Sequence, residues 1–107
     1  MNALSLAALR NAVAGGKLVW RKHVLQRLAE RDIAQAAVLA VLQDGEKIRD
    51  YPEDRPFPSA LFMGHVASGP LHVVVALDEA AGTAYIITVY EPTKDVFEPD
   101  FRTRRKP

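Results

Sequence analysis

Three side chains that could bind and process a phosphate group recur every four residues in "WRKHVLQRLAER", residues 20–31. They are His23, Arg27 and Arg31, and a helix would place them on one face. Arginine forks bind phosphate oxygens in a bidentate manner, and an imidazole moves protons near neutral pH. The spacing therefore indicates a candidate phosphate site on a helix.

The same spacing is also typical of the solvated face of an amphipathic helix. Glu30 can pair with Arg27 three positions away without any chemistry. A structural role is a further alternative, in which His23 caps its own helix and the arginine pairs with Glu53 or Asp54 of the "YPED" loop. The spacing alone leaves these interpretations open.

The elements that must position this face begin with three short helices. "SLAALRNAVAGG" predicts a first helix that is capped by Ser5 and ended by the glycine pair. The second helix is the "HVLQRLAER" stretch itself. Asp32 and Gln35 form a capping-box pattern, which predicts a third helix that continues to the "DG" pair.

Beyond that pair the apolar period changes to two, which predicts strands. The predicted strands are "EKIRDY", "SALFMGHV", "PLHVVVAL" and "AYIITVY", and "KLVW" is an edge strand or an extended lead-in. The turn signals "ASGP" and "DEAAG" predict that the last three strands form an antiparallel meander. We therefore expect an α+β fold, with short helices on one face of a mostly antiparallel sheet of about four strands.

Two histidines fall on these strands. If "SG" is a two-residue hairpin turn, His65 lies opposite His72 on one face of the sheet. Such a pair could bind a metal, but no carboxylate lies at a recognisable ligand spacing, so we expect no metal site. The alternative is a pair of half-exposed strand histidines.

Alternation along the last strand predicts which side chains share the histidines' face. The expected core residues are Tyr85, Ile87 and Val89. The residues expected beside the histidines are Ile86, Thr88 and Tyr90.

Length and composition restrict the class of protein. The 107 residues fit a single domain, with an N-terminal helix (1–16), a core (17–101) and a basic tail (102–107). The absence of cysteine excludes disulfides, zinc–thiolate sites, iron–sulfur clusters and thiol nucleophiles. No apolar run approaches the roughly 18 residues of a membrane span, and the start lacks signal-peptide features. We expect a cytoplasmic protein that makes no membrane contact.

The positive charge is concentrated in the tail. Four of the 14 basic residues lie there, which leaves 10 basic against 13 acidic residues, a net charge of −3, in the rest of the chain. A strong nucleic-acid binder would carry an extended basic surface. Either nucleic-acid binding is local, or the tail carries it, or nucleic acid is the wrong partner.

Several short motifs together resemble a known bacterial family. A helix-start histidine followed by "RLAERDI", then "YP" after a strand, "PLHVVV", "IITVYEP" and "DFRTRR", is similar to the bacterial domain-of-unknown-function family numbered 4258. The resemblance covers about residues 17–105. That family is grouped with RelE-like and ParE-like toxins and related small ribonucleases, so the resemblance implies a RelE-like fold. Function does not follow from the fold, because the fold also carries non-enzymatic members.

The resemblance extends to individual positions. Those that it marks are His23, Arg27, Arg31, Tyr51, Pro52, Thr88, Tyr90 and Pro92.

We therefore hypothesise a metal-independent RNA endonuclease of the RelE-like type, without a cofactor, as in the toxin of a toxin–antitoxin pair. His23 would act as general base or acid, and Arg27 and Arg31 would bind the scissile phosphate. Tyr90 would donate a proton or stack on a base. The expected substrate-binding residues are Thr88, His72 and Tyr51.

The expected partners are RNA and an antitoxin protein, and the sequence predicts no oligomeric state. The alternative function is a non-catalytic protein-interaction module, whose helix face and basic tail dock a partner. An orphan domain with a structural His23 is the remaining alternative.

Overall fold

The computed structural model describes residues 3–93, 97 and 99–104, which contain three helices and five strands. In chain order these are α1 (Leu6–Ala14), β1 (Leu18–Trp20), α2 (Lys22–Glu30), α3 (Gln35–Asp44), β2 (Glu46–Tyr51), β3 (Ser59–Val66), β4 (Gly69–Asp78) and β5 (Thr83–Tyr90). Among the helices in these ranges, none has the length and apolarity to cross a bilayer.

The strands form one open sheet in the order β1-β5-β4-β3-β2. Strands β3 to β5 are an antiparallel meander, as predicted. Strand β2 extends it by pairing antiparallel with β3, whereas β1 pairs in parallel with β5. The α+β class is confirmed. The expected number of about four strands is wrong, because the short "KLVW" stretch also joins the sheet and makes it mixed.

The hydrophobic core lies between the helices and one face of the sheet. Its fully buried side chains include Leu9, Val24, Val38, Leu42, Phe62, Leu71, Val73, Val75, Leu77, Ile86 and Val89. Burial of one such side chain contributes about 1.5–3 kcal/mol. We call the opposite side of the sheet the outer face; Met63, His72, Tyr85 and Tyr90 lie on it.

The ends of α1 are as predicted, and the start of α3 is not. Ser5 caps α1 by accepting a 3.1 Å hydrogen bond from the backbone N–H of Ala8. The N-cap of α3 is Ala34, which makes no side-chain cap, so the capping box predicted at Asp32 is wrong. Asp32 instead adopts a left-handed φ of 55° just after α2, where Ile33 N–H bonds back into the helix.

The β3–β4 hairpin has a different register from the predicted one. Its turn consists of the two residues before Gly69, which opens β4 with a φ of 123°. His65 therefore pairs with Pro70, and His72 pairs with Met63. The predicted facing of the two histidines is wrong, because a different two-residue turn moves every cross-strand partner.

A β-bulge interrupts β5. Val74 pairs with Thr88 and Val75 pairs with Ile86, so Ile87 is an extra residue in the strand. One inserted residue exchanges the two faces for everything beyond it.

The bulge explains why the predicted alternation is only half correct. Ile86 belongs to the core and Tyr85 lies on the outer face, which is the reverse of the prediction for both. Past the bulge, Val89 is in the core and Tyr90 lies beside His72, as predicted.

The segment after β5 returns across the outer face. Phe97 is buried there and forms an isolated bridge with Arg104. Arg102 Nε lies 2.6 Å from Glu46 Oε2 at the start of β2. The predicted basic tail is thus described only in part, since residues 105–107 lie outside the described residues.

Candidate functional site

Helix α2 lies beside the edge of β5 that β1 leaves uncovered. β1 ends at Trp20, whose register partner is Ile86, so the next carbonyl along that edge has no strand partner. His23 Nε2 lies 3.1 Å from this carbonyl, the oxygen of Ile87. A carbonyl only accepts, so Nε2 carries the hydrogen and Nδ1 of the neutral ring is the basic nitrogen. Within the described part of the chain, Nδ1 has no bonding partner.

The two arginines of the helix line one cavity with the end of β5. This α2–β5 cleft has a volume of about 320 Å³ and is lined by Arg27, Arg31, Ile33, Val89, Tyr90, Glu91 and Thr93. Arg27 and Arg31 follow each other by one helical turn, which separates neighbouring Cβ atoms by about 5–6 Å. Two arginines, a tyrosine and a threonine therefore border the same space.

Glu91 partly offsets the positive charge of the cleft. Its Oε1 lies 3.7 Å from Arg31 Nη1, and the arginine side chain is 62% exposed. An exposed ion pair at this distance is weak. An anionic ligand can therefore compete with Glu91 for the guanidinium.

The hydroxyl of Tyr90 is hydrogen-bonded to a buried histidine. His72 is fully buried; its Nε2 lies 2.7 Å from the Phe101 carbonyl oxygen and its Nδ1 lies 3.1 Å from Tyr90 Oη. Since the carbonyl must accept, Nε2 is the protonated nitrogen and the Tyr90 hydroxyl donates to Nδ1. Phe97 packs edge-on against the imidazole, with ring centroids 4.7 Å apart.

Burial keeps both members of this pair neutral. It lowers the pKa of His72, against a smaller opposing effect of the backbone hydrogen bond. Burial also raises the pKa of Tyr90, and Tyr51 raises it further, while Arg104 and Arg49 act in the opposite direction. The tyrosine that borders the cleft is therefore neutral.

The predicted site residues fall into three groups. Arg27, Arg31 and Tyr90 share the cleft, and His23 lies one turn before Arg27 without lining it. His72 is predicted to bind substrate, but it is buried with both nitrogens bonded, so it positions Tyr90 instead.

The two other predicted substrate-binding residues lie on the outer face. Thr88 pairs with Val74 and does not line the cleft. Tyr51 is close enough to influence Tyr90 electrostatically, although it belongs to the far edge strand β2. In residues 3–93, 97 and 99–104, no three His, Asp or Glu side chains converge closely enough to hold a metal ion.

Sequence reasoning missed two residues of the cleft, Glu91 and Thr93. Their signal is the "EPT" triplet after β5, where Pro92 ends the strand and leaves the neighbouring polar side chains at its tip. Their proximity to α2 depends on the parallel pairing of β1 with β5, which the sequence does not reveal.

The family comparison covers this site. Residues 20–91 match the family described as Domain of unknown function (DUF4258). The match begins at the end of β1 and ends one residue after β5, so it contains α2 and every cleft residue except Thr93. No curated protein matches the chain in sequence. Because the match spans more than half of the chain, the protein belongs to the Domain of unknown function (DUF4258) family.

Proposed function

We propose that this protein is a metal-independent RNA endonuclease of the RelE-like type, and that it is the toxin of a toxin–antitoxin pair. The observation that carries the proposal is the α2–β5 cleft, where two arginines, a tyrosine and a threonine surround about 320 Å³. Small-ligand sites commonly have volumes of about 300–1,000 Å³. Three helices on one face of a sheet are also compatible with a RelE-like fold.

The arginines bind the scissile phosphate in this proposal. Arg27 and Arg31 contact the non-bridging oxygens and stabilise the negative charge that grows on them in the transition state. The weak pair with Glu91 opens when the phosphate arrives. The Thr93 hydroxyl is a further donor to the phosphate.

His23 supplies the base. Its Nδ1 takes the proton from a ribose 2′-hydroxyl, while the Ile87 carbonyl holds the ring through Nε2–H. The 2′ oxygen then attacks phosphorus, the bond from phosphorus to the 5′ oxygen breaks, and a 2′,3′-cyclic phosphate and a 5′-hydroxyl result. This chemistry needs a ribose.

Tyr90 supplies the proton to the leaving 5′ oxygen, and solvent returns it. Its raised pKa keeps the phenol protonated before the reaction. The O–H must turn from His72 Nδ1 toward the ligand, which is a rotation about one C–O bond. His72 therefore acts as a positioning residue.

An RNA cleavage assay in EDTA tests the proposal. We expect His23→Ala and Arg27→Ala each to lower the cleavage rate by at least about a hundredfold, since each removes one catalytic contribution. Lys22→Ala is the matched control, because it removes an exposed cation of the same helix outside the cleft. A substrate with a 2′-deoxyribose at the scissile position should not be cleaved. Undiminished cleavage by His23→Ala contradicts the assignment.

A non-catalytic interaction module is the second candidate. Val19 of β1 and Leu25 of α2 are large apolar side chains that remain 41% and 38% exposed at the sheet edge. A partner protein that covers this edge would bury them. Growth inhibition without any cleavage product would favour this candidate over the endonuclease.

A further inference from the structure

A second cavity lies beside β5 and has no role in the proposed reaction. It has a volume of about 440 Å³ and is lined by Arg21, Asp54, Arg55, Pro56, Phe57, Ser59, Ala76, Tyr85 and Ile87. Ile87 is also the residue whose carbonyl holds His23. The second cavity and the α2–β5 cleft therefore lie along the same strand, with the candidate base between them.

The floor of this second cavity is a set of register partners across three strands. Ser59 pairs with Ala76, and Ala76 pairs with Tyr85. The first two side chains are small, so the surface of the sheet recedes beside the tyrosine ring. Phe57 stacks on Tyr85, with ring centroids 5.6 Å apart and planes 15° from parallel. The result is a recess with an aromatic wall.

Positively and negatively charged side chains line the same recess. Arg21, the N-cap residue of α2, and Arg55 of the loop before β3 are exposed cations. The Asp54 carboxylate is fixed by accepting the hydroxyl hydrogen of Ser59, and it keeps further lone pairs for a ligand. The recess therefore offers a partner for each of three ligand groups: the aromatic wall for a flat ring, the arginines for an anion, and the Asp54 carboxylate for N–H donors.

From this arrangement we infer that the second cavity is a nucleotide subsite. The base stacks against the Phe57–Tyr85 pair, the phosphate lies near Arg21 and Arg55, and Asp54 accepts N–H donors of the base. Guanine offers two adjacent donors and uracil offers one, so the subsite prefers guanine.

This inference deepens the proposed function and rests on it, since both sites then hold one RNA chain. From Tyr85 to Tyr90 the strand spans about 16 Å. The base in the second cavity therefore belongs to a nucleotide near the scissile phosphate, but not to the same nucleotide. The subsite would determine which sequence is cleaved.

Titrations followed by backbone amide NMR test the inference, with guanosine 5′-monophosphate, uridine 5′-monophosphate and ribose 5-phosphate as probes. The amides of Ser59 and Ala76 report on the second cavity, and the amide of Thr93 reports on the α2–β5 cleft. At the second cavity we expect the guanine nucleotide to bind about tenfold tighter than ribose 5-phosphate, because only the former can stack. The uracil nucleotide should bind with intermediate affinity.

Two variants separate stacking from folding defects. Tyr85→Leu should abolish the advantage of the guanine nucleotide and leave the affinity for ribose 5-phosphate unchanged, whereas Tyr85→Phe should keep the advantage. Arg55→Ala, on an exposed loop, should weaken all three probes at the second cavity. Equal affinities of the guanine nucleotide and ribose 5-phosphate, or no response of Ser59 and Ala76, would overturn the inference.

The proposed function has a separate readout in the same titrations. A phosphate-dependent response of Thr93 that Arg27→Ala removes supports the cleft, whatever the second cavity does. Conversely, base-dependent shifts at Ser59 without any response of Thr93 would leave the nucleotide subsite standing and contradict the phosphate cleft.

Discussion

The edge of β5 beside α2 and the outer face of the sheet each hold a histidine, and the two imidazoles are in opposite environments. His23 is exposed and uses one ring nitrogen to bond the Ile87 carbonyl. His72 is fully buried and uses both nitrogens, one to the Phe101 carbonyl and one to Tyr90. An imidazole with a nitrogen left over can serve a ligand, whereas one with none can only hold its neighbours in place.

The difference arises from what covers each region. The segment after β5 returns over His72, where Phe97 packs edge-on against the ring. On the α2 side, the short strand β1 ends at Trp20, and polar side chains of α2 lie beside the rest of the β5 edge. Near its C-terminal end, β5 is therefore covered by aromatic packing on the outer face and is open to solvent at the edge beside α2.

The largest expected effect concerns stability and separates the two histidines. His72→Ala should lower the free energy of unfolding by about 3 kcal/mol, because it leaves a cavity and two partly buried polar groups without their partner. His23→Ala should cost about 1 kcal/mol, because it releases one exposed carbonyl to water. Urea denaturation of both variants measures the difference. Equal losses would mean that His23 is as structural as His72, which would remove the contrast.

A smaller effect on stability follows from pH. Burial lowers the pKa of His72, so the unfolded chain binds this proton at a higher pH than the folded protein does. The stability that the neutral His72 side chain provides is therefore fully present above its ordinary pKa of 6.5. This stability decreases as the pH falls below that value.

We expect the wild type to lose stability between about pH 7.5 and about pH 5.5, and we expect His72→Gln to lose less over the same range. Glutamine keeps an amide donor and an acceptor but does not titrate. Urea denaturation at the two pH values provides the measurement. An equal loss in the variant would assign the pH dependence to other groups.

The sequence predicts what is encoded locally. Ser5 and the glycine pair define α1, and the residues predicted for β3 agree with those observed, since capping and alternation depend on neighbouring positions. The helical row of His23, Arg27 and Arg31 is likewise a matter of spacing.

Contacts that depend on distant partners were not predictable. β1 pairs with residues more than sixty positions away, and one inserted residue at Ile87 exchanges the faces of β5. The burial of His72 depends on a segment that returns from beyond that strand. The alternation of apolar residues does not encode any of these three features. The outer-face position of Tyr85 and the structural role of His72 are therefore visible only in the folded protein.

The smallest expected effect lies within the cleft and tests whether its exposed side really binds anions. Glu91 lies 3.7 Å from Arg31 and competes with any anion for that guanidinium. Glu91→Gln should therefore tighten the binding of inorganic phosphate, followed through the Thr93 amide, by about two- to fivefold. Glu79→Gln, which removes the same charge from an exposed turn, should change the affinity little at physiological salt. Unchanged affinity in Glu91→Gln would mean that Arg31 does not bind the anion, and weaker affinity would mean that Glu91 itself accepts a hydrogen bond from it. The first result would move the site away from the C-terminal turn of α2, toward Arg27 and His23, whereas the second would keep it beside Glu91.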